Sequence, residues 1–391
     1  MNRRLFLQRS LASAAVGLAN FGARGTTRST APSTASYRNL LVLIELKGGN
    51  DGLNTLVPFE DPAYYAVRPK LAITRDSVVQ LSTRAGLHPA LAPLMPLWEN
   101  RQLAILQGVG YPEPNLSHFR SIEIWDTASA SDTYLQDGWL TRTFVAAPPP
   151  SAFAADGVIV GSNDLGPLAG SGTRAVALAD TEQFLRRARL AAPEGKARNK
   201  ALEHILKVEA DIVQAASHLD ARHVFNTEFP KDAFGNAIHT ACQVIANPSG
   251  VAVVRVTLGG FDTHGGQATT QARLLGMLAG GIVALRSALV EIGRWDSTLV
   301  LTYAEFGRRP RENLSSGTDH GTASVQFALG GRVAGGFYGG EPRLDRLGGD
   351  GNVAYTLDFR SVYATVLERW WGVASAPIVG SDFTPVPFVR A

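Results

Sequence analysis

A nearly continuous apolar stretch, Leu40-Leu41-Val42-Leu43-Ile44-Glu45-Leu46, leads directly into Lys47-Gly48-Gly49-Asn50-Asp51-Gly52. Unbroken apolar character over a short run is typical of a strand in a parallel sheet that is covered on both faces. The glycines and polar residues that follow are typical of a loop. Together they predict a buried strand that delivers polar side chains to one edge of a sheet.

The same pattern recurs along the chain. Further short apolar runs, bounded by glycine, proline or polar residues, lie at Leu103–Gln107, Gly157–Val160, Ala175–Leu178, Val251–Leu258, Thr298–Tyr303 and Val325–Leu329. Helical stretches lie between them, at Ala90–Glu99, Thr181–Leu190, Lys196–Val224, Asp232–Ile245, Gln267–Ile292 and Phe359–Trp371. This alternation predicts a three-layer α/β/α sandwich with a mostly parallel central sheet. The helical region 180–247 interrupts the rhythm and is predicted to be an insertion, either at a sheet edge or as a lid.

The amino-acid composition limits the kinds of fold and metal site that the chain can form. The 391 residues are 45% hydrophobic and 18% charged, which is a globular composition with a large core. Cys242 is the single cysteine, so an intrachain disulfide, a zinc ribbon and a CxxC redox motif are all excluded. Any metal ion must therefore be held by histidines and carboxylates.

Charge argues against nucleic acid as a partner. The formal net charge is +3, but residues 1–36 contain five arginines and no acidic residue. The remainder has 32 basic against 34 acidic residues, a net charge of −2. A protein that binds the phosphate backbone needs a basic face, which this body does not supply.

The first residues are typical of an export signal. Arg3-Arg4-Leu5-Phe6-Leu7 precedes a weakly apolar stretch and then Thr, Ser and Pro up to Ser36. This layout predicts a twin-arginine signal and linker over 1–36, a single domain over 37–391, and a folded protein carried to the periplasm or beyond by the twin-arginine export machinery. The apolar stretch is too short to span a bilayer, and no later run suggests an integral span.

Polar residues collect where the predicted strands end, which is where open α/β sheets bind their ligands. Asp51 is either a carboxylate ligand or part of an ordinary Asn-Asp-Gly turn. Ser117 is either a nucleophile at the start of a helix or simply its cap. Asp262 and His264, between glycine pairs, form either a metal site or an oriented Asp–His hydrogen bond. Glu305, Arg308 and the adjacent pair Asp319-His320 add further polar groups.

These motifs together resemble the domain-of-unknown-function family 1501, a group of exported bacterial proteins placed near the sulfatases in the alkaline phosphatase superfamily. The resemblance covers nearly the whole chain after Tyr37 and is carried by Leu-Lys-Gly-Gly-Asn-Asp-Gly-Leu-Asn-Thr at 46–55, Asn-Leu-Ser-His-Phe-Arg at 115–120, Phe-Asp-Thr-His-Gly-Gly at 261–266, Glu-Phe-Gly-Arg at 305–308 and Thr-Asp-His-Gly at 318–321.

The resemblance implies an alkaline-phosphatase-like fold and one or two divalent ions, with zinc, manganese or calcium as candidates. It implies that one ion is held by Asp51, Ser117, Asp319 and His320, with Ser117 also the nucleophile. It implies that Asp262 and His264 begin the shell of a second ion.

Two features depart from the superfamily pattern. Only Thr263 separates Asp262 from His264, and no histidine follows His320. His118, His88 or Glu305 are the candidates to replace the missing late ligand. A formylglycine-dependent sulfatase is disfavoured, because Cys242 is followed by Gln-Val-Ile-Ala.

Two functions follow as hypotheses. The first is an exported metal-dependent hydrolase or transferase acting on small or polymer-borne phosphate or sulfate esters. In it, Arg120 or Arg308 neutralises the ester and Glu305 binds the metal or orients a histidine. The alternative is a non-catalytic binding protein that keeps the fold and at most one metal. A carbohydrate-active protein is a third hypothesis, suggested by Trp125, Trp139 and Tyr338.

Overall fold

The computed structural model describes residues 35–178 and 223–390. The strands in these ranges are β1 (Leu40–Lys47), β2 (Leu56–Val57), β3 (Val79–Gln80), β4 (Gly86–Leu87), β5 (Leu103–Gly110), β6 (Ala155–Val160), β7 (Ala175–Leu178), β8 (Val251–Gly259), β9 (Thr298–Tyr303), β10 (Ser324–Leu329), β11 (Gly336–Gly339) and β12 (Leu357–Asp358). The α-helices are α1 (Pro62–Val67), α2 (Met95–Glu99), α3 (His118–Thr127), α4 (Trp139–Ala146), α5 (Ala233–Ala246), α6 (Gln267–Glu291), α7 (Phe359–Thr365) and α8 (Ala376–Val379).

The central sheet has the strand order β11-β5-β10-β9-β1-β8-β6-β7, with β12 also paired to β5. Its pairings are parallel except the two that β10 makes with β5 and β9. β1 lies between β8 and β9, and its residues Leu40–Leu46 are all buried. The central position explains why this run is almost continuously apolar.

Helices cover both faces of the sheet. Leu40, Val42 and Ile44 of β1 pack into one core with α5, α6 and the 3₁₀ turn Pro89–Leu94. Leu41 and Leu43 point to the other core, which is built with α3, α4 and the segment Phe359–Trp371. The predicted three-layer α/β/α sandwich with a mostly parallel sheet is therefore confirmed. Trp125 and Trp139 are buried in the second core, so they offer no exposed sugar platform.

Some strands and helices differ from the prediction where the local sequence has little hydrophobic periodicity. A small antiparallel sheet, in the order β2-β4-β3, was not predicted because two-residue strands show no periodicity. The predicted helix Ala90–Glu99 is a 3₁₀ turn followed by α2, since prolines interrupt it at Pro93 and Pro96. Beyond α7, the predicted helix Phe359–Trp371 continues as a π-helical turn, Val366–Trp371.

One described helix, α6, is long and apolar enough to cross a membrane by length and composition. In the fold, 56% of its apolar window is buried. It contacts α5 and the 3₁₀ turn Pro89–Leu94, which is the environment of a core helix.

Two predictions lie wholly or partly outside the described residues. The export signal and linker over 1–36 precede the described chain almost entirely. Of the predicted helical insertion 180–247, the structure describes 223–247, where α5 packs against α6 and β8.

Candidate metal centre

Five polar segments reach one edge of the central sheet. β1, β5, β8 and β9 run in the same direction, so their carboxyl ends lie at that edge, whereas antiparallel β10 begins there. The segments that follow or precede these strands are Gly48–Asp51, Ser117-His118, Asp262–His264, Glu305–Arg308 and Asp319-His320. Sheet topology thus gathers residues that are as far as 272 positions apart in the chain, from Gly48 to His320.

Gly48 allows the first and third of these segments to touch. Its φ is +115°, a conformation that favours glycine. A Cβ added at this position would lie 2.3 Å from the backbone nitrogen of Asp262. A side chain at Gly48 would therefore displace the segment that carries Asp262.

The Arg308 side chain is fully buried and ties the segments together. Its guanidinium donates hydrogen bonds to the Asp262 carboxylate and to the carbonyl oxygens of Gly48, Gly49, Phe261 and Thr318. We predicted that Arg308 would neutralise a substrate ester. Its guanidinium is instead bound to the loops of the protein itself. The structure commits Arg308 to holding the loops.

Asp262, His264 and His320 form the centre of the cluster. Asp262 Oδ1 lies 3.1 Å from His264 Nε2 and 3.2 Å from His320 Nε2. The two Nε2 atoms are 3.0 Å apart. The Asp–His pair and the later histidine, predicted from separate motifs, therefore share one small volume.

His118 completes the cluster from the first turn of α3. Its Nε2 lies 3.4 Å from Asp262 Oδ2. His118, Asp262 and His320 each offer a ligand atom, and these atoms lie within 4.8 Å of one another. Phe306 packs against the rings of both histidines, with centroid distances of 4.9 Å and 4.5 Å. Among the three candidates for the missing late ligand, His118 is the one that the structure brings into this group.

The second nitrogen of each histidine is held by an oxygen acceptor. His118 Nδ1 contacts Glu305 Oε1 at 2.9 Å, and His264 Nδ1 contacts Asp319 Oδ1 at 3.1 Å. His320 Nδ1 contacts the Leu116 carbonyl oxygen at 2.8 Å. Carboxylates and carbonyls only accept, so in the neutral rings Nδ1 carries the proton and Nε2 presents a lone pair. Three lone pairs and a carboxylate then face one another, an arrangement that either a metal cation or a protonated imidazole satisfies.

The spacing suits a metal ion. Ligand atoms around a tetrahedral ion with bonds of about 2.0–2.1 Å lie about 3.3 Å apart. The distances from the Asp262 carboxylate to the three histidines, and from His264 to His320, are 3.0–3.4 Å. The ligand atoms of His118, Asp262 and His320 lie within 4.8 Å of one another. Imidazole with one carboxylate is a donor set typical of zinc and also accepted by manganese.

The charge state of Asp262 also suits this role. Partial burial raises the pKa of the carboxyl, but the hydrogen bond and charge of Arg308, with smaller effects of His320 and His264, lower that pKa to about 2. Asp319 also has a lowered pKa, mainly because Asn313 donates a hydrogen bond to it. Both groups are anionic near neutral pH.

Asp51 lies apart from this cluster, contrary to the expectation that it binds the first ion. Its side chain is fully buried in an ion pair with Arg68, with 2.5 Å between Nη1 and Oδ2 and a second hydrogen bond of 2.9 Å to Oδ1. Gln267 also donates to it. Because both oxygens are engaged, we exclude Asp51 from the ligand set. His88 is likewise apart, since its Nδ1 caps a helical turn by accepting from the Ala90 N–H.

Ser117 is the N-cap residue of α3, directly before His118. Its side chain makes no capping hydrogen bond and the residue is exposed. The hydroxyl is therefore free to face a ligand at the first turn of a ten-residue helix, where unpaired N–H groups favour an anion.

Glu305, Asp319 and Arg120 take supporting positions. Glu305 is buried, accepts from the Gly48 N–H and contacts His118 Nδ1, so of its two predicted roles the geometry is that of an orienter of a histidine. Asp319 contacts the Nδ1 atom of His264, on the side of the ring away from the cluster. It therefore supports a candidate ligand from behind. Arg120, predicted to neutralise the ester, is instead buried, with its guanidinium bound to the carbonyl oxygens of Ala130, Ser131 and Thr133.

Sequence reasoning missed Arg68 and Gln267. Arg68 neutralises Asp51 from 17 positions away, and Gln267 links Asp51 to Thr263 and Thr318. A lone arginine after α1 and a glutamine at a helix start carry no motif, so no local signal could have found them.

Comparison with known proteins identifies the family. The family model described as "Protein of unknown function (DUF1501)" matches residues 93–378. This chain belongs to the DUF1501 family. The resemblance seen in the sequence is thereby confirmed. No curated protein matches this DUF1501 chain.

Several solved structures match this DUF1501 protein at low sequence identity. The C-terminal periplasmic domain of EcEptC from Escherichia coli is 10% identical, with a TM-score of 0.42 over 89% of this chain and 88% of that one. The lipoteichoic acid synthase LtaP from Listeria monocytogenes is 9% identical, with a TM-score of 0.40 over 92% and 79%. Alkaline phosphatase from the Antarctic bacterium TAB5 is 11% identical, with a TM-score of 0.35 over 77% and 94%.

Proposed function

We propose that this DUF1501 protein is an exported, metal-dependent hydrolase or transferase of phosphate or sulfate esters. The observation that carries the proposal is the convergence of three imidazole Nε2 atoms on the Asp262 carboxylate. His118, Asp262, His264 and His320 are the proposed ligands.

The site is open to a substrate. The side chains of Asp262 and His264 are 45% and 46% exposed. An ion with five or six ligands, such as manganese or an expanded zinc site, would have room for a substrate oxygen beside the four protein ligands. A bound divalent ion would polarise an ester oxygen and lower the pKa of a hydroxyl nearby.

Ser117 is the proposed nucleophile. Its hydroxyl precedes the ligand His118 and is not consumed by capping. The N–H groups of the first turn of α3 would stabilise negative charge on the attacking oxygen or on the ester. The ester class follows from the family resemblance, and the location outside the cytoplasm follows from the signal predicted over 1–36.

The test is hydrolysis of an aryl phosphate and an aryl sulfate by the exported protein supplied with Zn²⁺ or Mn²⁺. Ser117→Ala should lower kcat by at least about a thousandfold, as expected for loss of a nucleophile. Ser381→Ala, at an exposed serine outside the site, is the matched control. Unchanged activity in Ser117→Ala would eliminate the nucleophile, and a metal-free wild type with full activity would eliminate the metal.

A second function has one observation in its favour. The described residues contain a single group of three or more candidate metal ligands. Asp51, which was predicted to bind an ion, is paired with Arg68 instead. This arrangement fits a binding protein that keeps one ion and captures an ester or another anion without cleaving it. One equivalent of metal, together with saturable binding of phosphate or sulfate and no turnover of either aryl ester, would favour it.

A further inference from the structure

A polar cavity lies outside the candidate metal centre. It has a volume of about 320 Å³ and lies between α3 and the 3₁₀ turn Gly166–Leu168. Its lining includes Glu123, Asp126, Gln136 and Asp164, and none of the described residues that line it is lysine or arginine. The cavity is therefore an acidic pocket rich in oxygen donors.

Asp126 is the unexplained group in this pocket. It is nine-tenths buried, and its Oδ1 atom has no hydrogen-bond partner among the described residues. Burial raises the pKa of this carboxyl well above its usual range. Asp126 thus lines the cavity and also carries a buried oxygen without a partner, a combination that calls for a water or an ion.

The nearby arginine does not satisfy Asp126. Arg255 lies under Gly166, where an added Cβ would come within 2.9 Å of the guanidinium carbon. Its donors go to Glu45 Oε2 at 2.8 Å, the Tyr303 hydroxyl at 2.8 Å and the Asp164 carbonyl oxygen at 2.6 Å. Glu45 Oε1 is also buried without a partner. Arg255 Nη2 also lies 3.8 Å from the Asp164 carboxylate, so the carboxyl groups of Glu45, Asp126 and Asp164 share the charge of this one arginine.

We propose that this cavity binds a hard divalent cation, Ca²⁺ by preference, through Asp126 and Asp164. Asp164 is placed for this role, because its Oδ1 accepts the Gly166 N–H and its side chain is 49% exposed. Irregular sets of oxygen ligands completed by waters suit Ca²⁺ better than the smaller, strictly octahedral Mg²⁺. The absence of histidine among the described lining residues separates this site chemically from the proposed zinc or manganese centre.

Terbium luminescence tests the site directly. Tb³⁺ replaces Ca²⁺ and is excited through tryptophan, and Trp139 directly follows Gly138 of the cavity lining. The full chain is first saturated with Zn²⁺ to fill the histidine-rich centre. Titration with Tb³⁺ should then give a saturable signal that Ca²⁺ displaces. Asp126→Asn and Asp164→Asn should each weaken binding at least about tenfold, since the number of charged ligands sets the affinity.

Asp76→Asn, at an exposed aspartate elsewhere, should bind Tb³⁺ as the wild type does. Circular dichroism checks that the variants fold; if Asp126→Asn does not, the half-exposed Asp164→Asn decides. Absence of saturable binding, or equal binding by wild type and both cavity variants, would overturn the proposal.

Discussion

Arg308 and Asp262 form an ion pair, with 2.5 Å between Nη2 and Oδ1, in which the arginine side chain is fully buried and the aspartate is nearly half exposed. The buried end binds the backbone of three loops. The exposed end faces three imidazoles. This pair therefore joins the packing of the sheet edge to the position of a proposed metal ligand.

Replacing Arg308 with lysine should weaken both the packing of the sheet edge and the binding of the metal ion. Lysine keeps the charge but is a point donor that cannot replace the planar fork, so several buried carbonyls lose their partners. We expect Arg308→Lys to lower the free energy of unfolding by about 1–3 kcal/mol and zinc affinity by roughly 10–100-fold. Urea denaturation and competition with a zinc chelator measure the two effects. Arg346→Lys, at an exposed arginine, is the control, and an unaltered zinc affinity in Arg308→Lys would contradict the linkage.

Removing two ligands should abolish metal binding. In the double variant His264→Ala/His320→Ala, metal content measured by mass spectrometry should fall from one equivalent to near zero. Wild type should gain about 2.7 kcal/mol of stability when zinc is at 100 times its Kd, and the variant should gain none. His239→Ala, on the exposed side of α5, should behave as the wild type. Full metal content in the double variant would show that the ion lies elsewhere.

Glu305→Gln should separate orientation of a ligand from folding. The amide oxygen can still accept the Gly48 N–H, so stability should change little. The hydrogen bond to His118 Nδ1 loses its charge, and zinc affinity should fall by roughly 10–100-fold. Calorimetric titration with zinc checks this result. A thermal midpoint that falls as far as in Arg308→Lys would instead indicate a structural role.

Asp51→Ala should lower the free energy of unfolding without lowering the metal content. The variant leaves Arg68 buried and unpaired, which costs about 3–5 kcal/mol. Metal content of the folded variant should remain at one equivalent, since Asp51 is outside the proposed ligand set. Loss of metal at full stability would restore Asp51 as a ligand.

Asp126 should make stability depend on pH in the absence of calcium. Its pKa is raised in the folded state above about 3.9 in the unfolded state, so the folded protein binds the extra proton between these values. The resulting stabilisation is complete below the unfolded pKa and is lost as pH rises through the folded pKa. Asp126→Asn does not titrate, so in EGTA its stability relative to wild type should rise between pH 4 and pH 8. A constant difference across this range would contradict the raised pKa.

The sheet was predictable because its signal is local. Leu40–Leu46 and Val251–Leu258 are apolar throughout, and the strands at these positions end within a residue of the prediction. The ends of the strands then indicated where polar groups would gather. The two-residue strands, and the π-helical turn after Thr365, follow from tertiary packing and have no sequence pattern of their own.

The site was predictable only in part because charge pairing is not local. Asp262, His264 and His320 stood out as Asp–His motifs, and they meet. Asp51 looked equally suitable, but its oxygens are taken by Arg68, whose proximity depends on how α1 packs. The pairing of Glu45 with Arg255, 210 positions apart, shows the same dependence on the fold.

The reversed direction of β10 has a consequence for engineering. The excursion between β9 and β10 leaves and re-enters the sheet at the same edge, carrying Arg308 near its start and His320 near its end. Leu314, between them, is completely exposed. The Leu314 side chain can therefore be varied without shifting a strand, whereas Asn313, Ser315 and Ser316 must be kept, because they hydrogen-bond the segment 264–267 that carries His264. Position 314 is thus a single graft point for altering selectivity beside the anchored loops.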